Sequence, residues 1–254
     1  MEIIKNNHNF RVDGDYSLNW FKNNKLDCWE QDTFHILEYY KNKEDGIYID
    51  IGAWIGPTVL YAANIYNKII AIEPDTVAIE RLEKNLSVNN FNNIVLIKKG
   101  LSDKNGESVF GGNGPLGNSE STLLVARDNF FTYEGRHTTC YKNNHPIIKI
   151  ETINIETLIT ENNIDPTKIC LIKMDIEGGE IIVVPALKDF LIKYKPVLYI
   201  SLHYDYLKYS DIQLIIDILF DIYEKCYYFA WSGVKILTKK DEILNKRLSS
   251  IVFE

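Results

Sequence analysis

Apolar residues along the chain gather in short runs separated by stretches with helical spacing. Ile47 to Ile51 is apolar except for Asp50, and Lys68 to Glu73, Ile94 to Lys98, Ile169 to Asp175 and Pro196 to His203 repeat the pattern. Such runs fit parallel strands covered on both faces. Between them, Phe34, Leu37 and Tyr40 recur at spacing three and predict a helix over 30–43. Residues 57–66 predict a second, opened by Pro57 where a missing N–H costs nothing. Ala78, Leu82 and Leu86 at spacing four, with Glu80, Arg81, Glu83 and Lys84 between, predict a third over 76–89. Further helices follow over 156–162, from Glu180 to about Tyr194, and over 211–224 with Ile212, Ile215, Ile216 and Leu219 inward. The alternation predicts an α/β, Rossmann-like chain: a mostly parallel, doubly wound, seven-stranded sheet. Closing strands at 227–231, 235–238 and 251–253 place one antiparallel strand near its C-terminal edge.

Two regions break the alternation. Residues 1–28 lack sustained periodicity and read as an irregular arm or short hairpin, so that 1–45 forms an arm and a covering helix. A short strand at 107–110 leads into Gly111-Gly112-Asn113-Gly114-Pro115-Leu116-Gly117, which has too much glycine and proline to hold a regular element. Residues 111–145 therefore read as an insertion, either a substrate-facing lid or an uninvolved surface loop. It carries Arg127, Tyr133, Arg136, His137, Tyr141 and His145, of which Tyr133, Arg136 and His137 are taken as substrate-binding candidates. A strand at 147–155 ends it. No linker rich in Pro or Ser divides the chain, and 1–254 is expected to be one domain.

The totals narrow the function more than the fold. In 254 residues, 46% are hydrophobic and 25% charged, and no apolar run is long enough to span a membrane. The first residues show no secretion signal, so a cytoplasmic protein is expected. A net charge of -7 with dispersed basic residues argues against nucleic acid as a partner and for a small-molecule acceptor. The four cysteines, Cys28, Cys140, Cys170 and Cys226, form no C-x-x-C pair, which argues against a zinc or redox site.

The polar residues that end the apolar runs carry the chemistry. Asp50, Glu73, Ser102-Asp103, Asp175 and Ser201-Leu202-His203 each stand at the carboxyl end of a predicted strand, where open α/β sheets bind their ligands. Glu73 lies 23 residues after Asp50 and suits a grip on two ribose hydroxyls, because a carboxylate offers paired acceptors. The turn Gly52-Ala53-Trp54-Ile55-Gly56 has two glycines where a dinucleotide fingerprint has three. Asp50 before it would repel a pyrophosphate and favour the cationic amino-acid end of S-adenosylmethionine. That donor is the expected cofactor, held by Asp50, Gly52, Ala53, Trp54, Gly56, Glu73, Pro74, Ser102, Asp103 and Asp175.

Tyr48-Ile49-Asp50-Ile51-Gly52-Ala53-Trp54-Ile55-Gly56, Glu73-Pro74, Gly100-Leu101-Ser102-Asp103 and above all Leu171-Ile172-Lys173-Met174-Asp175-Ile176-Glu177-Gly178-Gly179-Glu180 resemble the FkbM family of class I S-adenosylmethionine-dependent methyltransferases. The likeness runs from about Trp29 to His203. Trp54 stands where the family often has Asn, and Ser201 where a glutamate is common. The resemblance implies the class I methyltransferase fold and O-methylation, often of a sugar or polyketide hydroxyl. Such a reaction aligns an oxygen in line with a sulfonium methyl and removes the hydroxyl proton. His203 is the leading base, with Asp175 and Glu177 as further catalytic candidates, and Trp29 and Glu30, just before the first helix, either close over cofactor or acceptor or serve the core and the helix start. A metal is not expected, since only one of the two strand mouths offers carboxylates. Lys173, inside an apolar strand, must be paired if buried, with Glu180 or Asp50. Two other functions remain open: a nicotinamide-dependent oxidoreductase on a similar sheet, and a catalytically silent S-adenosylmethionine-binding module.

Overall fold

The structure is a computed structural model that describes residues 1–23, 29–41, 45–112, 114–126, 146–230 and 233–254. Among the described residues, fourteen strands are numbered in chain order. They are β1 (Glu2–Lys5), β2 (His8–Arg11), β3 (Ile47–Ile51), β4 (Lys68–Ile72), β5 (Ile94–Ile97), β6 (Gly100–Leu101), β7 (Gly106–Gly112), β8 (Ser121–Thr122), β9 (Ile148–Ile153), β10 (Ile169–Met174), β11 (Val197–Ser201), β12 (Cys226–Ala230), β13 (Gly233–Leu237) and β14 (Ser250–Phe253).

The central sheet has the order β13-β12-β14-β11-β10-β3-β4-β5. From β11 through β5 all pairings are parallel. The Rossmann-like α/β class is the one expected. The sheet has eight strands rather than seven, and two run antiparallel. Strand β14 inserts between β11 and β12, antiparallel to both, and β13 returns along the outer edge of β12. The order of these closing strands cannot be read from the sequence, because a short apolar run does not state its neighbour.

Side chains alternate along each inner strand. Ile47, Ile49 and Ile51 enter one core with Ile172, Met174, Leu198 and Ile200, while Tyr48 enters the other with Leu171, Tyr199 and Val252. Both cores exclude water, so every strand of the middle is apolar on both faces. The exceptions are Asp50 and Lys173, which sit directly opposite each other in the β3–β10 register and are both buried. Neighbouring register thus answers the pairing question raised by Lys173 before any side-chain rotamer is considered.

Three segments differ from the sequence expectations. Residues 1–23 contain the short hairpin that was one of the two expected forms, β1–β2, but go on into an unexpected helix, Asp15–Asn23, whose Phe21 is buried in the second core. Strand β9 joins β6, β7 and β8 in a separate four-stranded sheet. Gly111 and Gly112 are strand rather than loop. A side-chain carbon on Gly112 would stand 2.0 Å from the Glu120 carbonyl oxygen, so here glycine permits close strand pairing with β8. Tyr133, Arg136, His137, and with them Cys28 and Cys140, lie outside the described residues. Among the described residues no helix is long and apolar enough to cross a membrane.

Candidate active site

The strand order reverses between β3 and β10, and the carboxyl ends of β3, β4, β10 and β11 open there onto a cavity of about 550 Å³. That lies in the range of small-molecule sites, roughly 300–1,000 Å³. Gly52, Ala53, Trp54, Glu73, Pro74, Asp175, Glu177, Ser201 and His203 all line it, and so does Glu30.

The glycine turn is shaped by what crosses it. The N–H groups of Gly52 and Ala53 both donate to the Ile72 carbonyl oxygen, at 3.0 and 3.1 Å, folding the chain over the end of β4. Gly52 has φ +87°, and a side-chain carbon there would stand 2.0 Å from the Asp175 carbonyl oxygen, so only glycine fits. The turn delivers the Trp54 N–H to Glu73 Oε2 at 2.8 Å, while the Asp75 N–H reaches Glu73 Oε1 at 2.8 Å. Each carboxylate oxygen keeps a second lone pair. Burial pushes the Glu73 carboxyl up to about 7, against the pull of these two donors. The Trp54 indole N–H and Arg81 both donate to the Gly117 carbonyl, at 2.9 and 2.7 Å, which ties the segment after β7 to the cavity's edge.

Opposite the turn lies a chain of charges. Lys173 Nζ is 3.3 Å from Asp50 Oδ1 and 3.4 Å from Asp175 Oδ2. Burial works to discharge this ammonium, but Asp50, Asp175 and Glu30 together outweigh it and hold it above the usual lysine range. His203 Nε2 lies 3.2 Å from Asp175 Oδ1 and 3.4 Å from Glu177 Oε2, and its Nδ1 is 2.9 Å from Glu180 Oε1. Burial opposes a charged ring, yet Glu180, with Asp175 and Glu177, raises His203 well above its ordinary value. His203 is therefore an imidazolium near neutral pH. Burial also works to raise Asp175, but Lys173 and then His203 overcome it and keep the carboxyl below the usual range. Glu177, held at φ +54°, is pushed up to about 8 by burial.

The geometry separates the expected residues into two groups. Asp50 does not face the cavity. It is fully buried, with one oxygen on Lys173 and the other accepting from Thr58 Oγ1 at 2.5 Å, so the strand-end position hid a structural counter-ion. Gly56 begins the helix Pro57–Ala62 at φ +90°, where a side-chain carbon would meet Leu82 at 2.4 Å. Ser102 and Asp103 are bonded to each other, and it is Gly100 and Leu101 before them that line the wall. Glu180, one of the two partners expected for Lys173, is instead the buried partner of His203 and accepts from the Ile176 N–H at 3.2 Å. Trp20, Lys173, Tyr199 and Ser249-Ser250 also reach the cavity. Strand β14 runs antiparallel and so presents its first residues there, a direction no local pattern encodes.

The Asp175, Glu177 and His203 donor atoms lie within 4.8 Å of one another, a spacing that suits a shared small cation. In this arrangement the imidazolium itself supplies the positive charge to those carboxylates.

A family profile for the methyltransferase FkbM domain matches residues 50–229, most of the chain. The chain belongs to the FkbM methyltransferase family. This FkbM domain also has likenesses among solved structures. The methyltransferase FkbM from Methylobacillus flagellatus KT is 17% identical, with a TM-score of 0.48 over 96% of this chain and 56% of that one. This chain thus spans little more than half of that protein's length. A precorrin-6y C5,15-methyltransferase from Geobacter metallireducens GS-15 is 11% identical, with a TM-score of 0.44 over 96% and 90% of the two chains. No curated protein matches the sequence. Membership of the FkbM family implies a methyl donor of the S-adenosylmethionine type.

Proposed function

We propose that this FkbM domain is an S-adenosylmethionine-dependent O-methyltransferase acting on a hydroxyl of a sugar or glycan. The observation that carries the proposal is that Glu73, aimed by two backbone N–H groups, and the His203–Asp175–Glu177 cluster face one cavity at the switch point of the sheet. When bound, the donor supplies a methyl group made electrophilic by a sulfonium charge. The residues present suit it: Glu73 keeps lone pairs for ribose hydroxyls, and the wall is rich in carboxylates that favour a cationic ligand.

The chain's own task is to orient the acceptor oxygen and take its proton. His203 is the group placed for that exchange, and its starting charge sets a condition. As an imidazolium it has no lone pair, so its Nε2 proton must leave before the ring can act as a base; Glu177 and Asp175 stand 3.4 and 3.2 Å away. Near neutral pH neither is a ready receiver, Glu177 because burial raises it to about 8 and keeps it protonated, Asp175 because Lys173 holds it as a weak base, so the proton is lost to solvent as the pH rises. Glu180 fixes the ring from behind through Nδ1, keeping Nε2 toward the cavity.

The reading is tested by incubating the protein and methyl-labelled S-adenosylmethionine with a panel of sugars and nucleotide sugars. Label in a sugar hydroxyl supports it; label on nitrogen or carbon, with none on oxygen, contradicts it. A second expectation concerns Glu73 alone. Ribose hydroxyls donate to the ionised carboxylate, and burial holds that group at about 7 in the free protein. Binding of S-adenosylhomocysteine is therefore expected to release a proton near neutral pH and to tighten as pH rises through about 7. Calorimetry in two buffers of different ionisation enthalpy reads the proton directly, and proton uptake on binding would remove Glu73 from the site.

A further inference from the structure

Three of the chain's four tryptophans meet on one wall of the cavity. Trp20 comes from the helix Asp15–Asn23, Trp29 precedes the helix Gln31–Tyr40, and Trp54 belongs to the glycine turn. Trp20 stands edge to face against both others, its ring centre 5.0 Å from each at 84° and 86°. All three are half-buried, so they are braced by one another and still present ring surface to the cavity. Glu30 and Asp32 line the same cavity beside Trp29. Glu30 is itself anchored, accepting from Thr33 Oγ1 at 3.0 Å, and Thr33 is bonded to the Tyr199 hydroxyl at 2.7 Å.

Flat aromatic rings flanked by carboxylates have a definite ligand chemistry. The C–H face of a sugar ring packs against indole, and its hydroxyls donate to carboxylate oxygens, which accept only. Charge separates the sugars further. Among the described residues the cavity wall carries six carboxylates, those of Glu30, Asp32, Glu73, Asp75, Asp175 and Glu177, and two cations, Lys173 and His203. Both cations are already engaged, Lys173 by Asp50 and Asp175, and His203 by Asp175, Glu177 and Glu180. Among the described residues lining the cavity, a phosphate or carboxylate on the acceptor would meet like charge with no cation left to answer it.

We propose that the Trp20–Trp29–Trp54 wall with Glu30 and Asp32 is the acceptor subsite, and that it takes an uncharged sugar ring and rejects sugars bearing phosphate or carboxylate. The word acceptor rests on the methyl-transfer reading above; the binding of an uncharged ring does not.

The test uses the whole protein saturated with S-adenosylhomocysteine and follows tryptophan fluorescence. Methyl glycosides of hexoses and 6-deoxyhexoses are titrated beside the matching glycosyl phosphates and uronates. At least one uncharged glycoside is expected to bind and perturb the emission, with the charged counterparts about tenfold weaker or worse. Trp29→Ala is expected to weaken the glycoside by about tenfold while the S-adenosylhomocysteine affinity, which reports folding of the site, stays within about twofold. Trp29→Phe, which keeps an aromatic face, restores part of the loss. Equal or tighter binding of the charged sugars overturns the proposal, as does failure of every uncharged glycoside to bind. Preferential binding of a quaternary ammonium such as choline also overturns it, by assigning the tryptophans to a cation cage. Loss of S-adenosylhomocysteine binding by the unaltered protein would instead count against the methyl-transfer reading.

Discussion

Replacing Lys173 with methionine is expected to destabilise the fold by about 3–5 kcal/mol near neutral pH, the cost of removing one partner from a buried ion pair. The side chains of Lys173 and Asp50 are 4% and 0% exposed, and among the described residues the cation paired with Asp50 is Lys173. Methionine keeps the apolar stem in place and removes the charge, which leaves the Asp50 carboxylate stranded between two cores. Lys173 also holds Asp175 below the usual carboxylate range, a stabilisation that the parent loses as pH falls, so the gap between variant and parent narrows toward acidic pH. Urea unfolding at neutral and acidic pH measures both effects. A loss below about 1 kcal/mol, as for an exposed pair, would contradict the buried counter-ion role.

The second large effect divides chemistry from binding. His203→Ala is expected to lower kcat by about 10²–10⁴, the usual contribution of a positioned acid–base group. Its effect on S-adenosylhomocysteine affinity should be small, because Glu73 is aimed by the Trp54 and Asp75 N–H groups and not by the ring. Glu73→Ala should do the reverse, weakening the donor far more than it slows the bound complex. The pH profile adds a sign. Because Glu180, Asp175 and Glu177 hold His203 above its ordinary value, the parent enzyme's kcat should climb with pH beyond the normal histidine range. His203→Ala should lose that limb. Near-normal turnover in His203→Ala, with the limb intact, would move the base to Asp175.

How far the sequence revealed this site depended on the range of the interaction involved. The turn at Gly52, the acid at Glu73 and the Asp175–Glu180 segment were legible because each is a short run at a strand end, and strand ends in this fold share one location. Lys173 announced its need for a partner because a lone charge in an apolar strand is costly, and Asp50 was one of the two partners considered. That same pairing took Asp50 out of the cavity, which the strand-end rule could not foresee. The hydrogen bond from His203 to Glu180 joins two residues 23 apart, and the helix dipole accounts equally well for an acid in a first turn. Trp20 was hidden for a related reason. Its helix, Asp15–Asn23, is short, and its neighbours Trp29 and Trp54 come together only in the fold. The position of β14 is likewise tertiary. Its pairing with β11, which brings Ser250 to the cavity, is set by neighbours distant in the chain.

The most direct test of the central claim is calorimetric titration of the protein with S-adenosylhomocysteine and, separately, with NAD. The account predicts one-to-one binding of S-adenosylhomocysteine that is strongly weakened in Glu73→Ala, and no comparable binding of NAD. Absence of S-adenosylhomocysteine binding, or tighter binding of NAD, would contradict it.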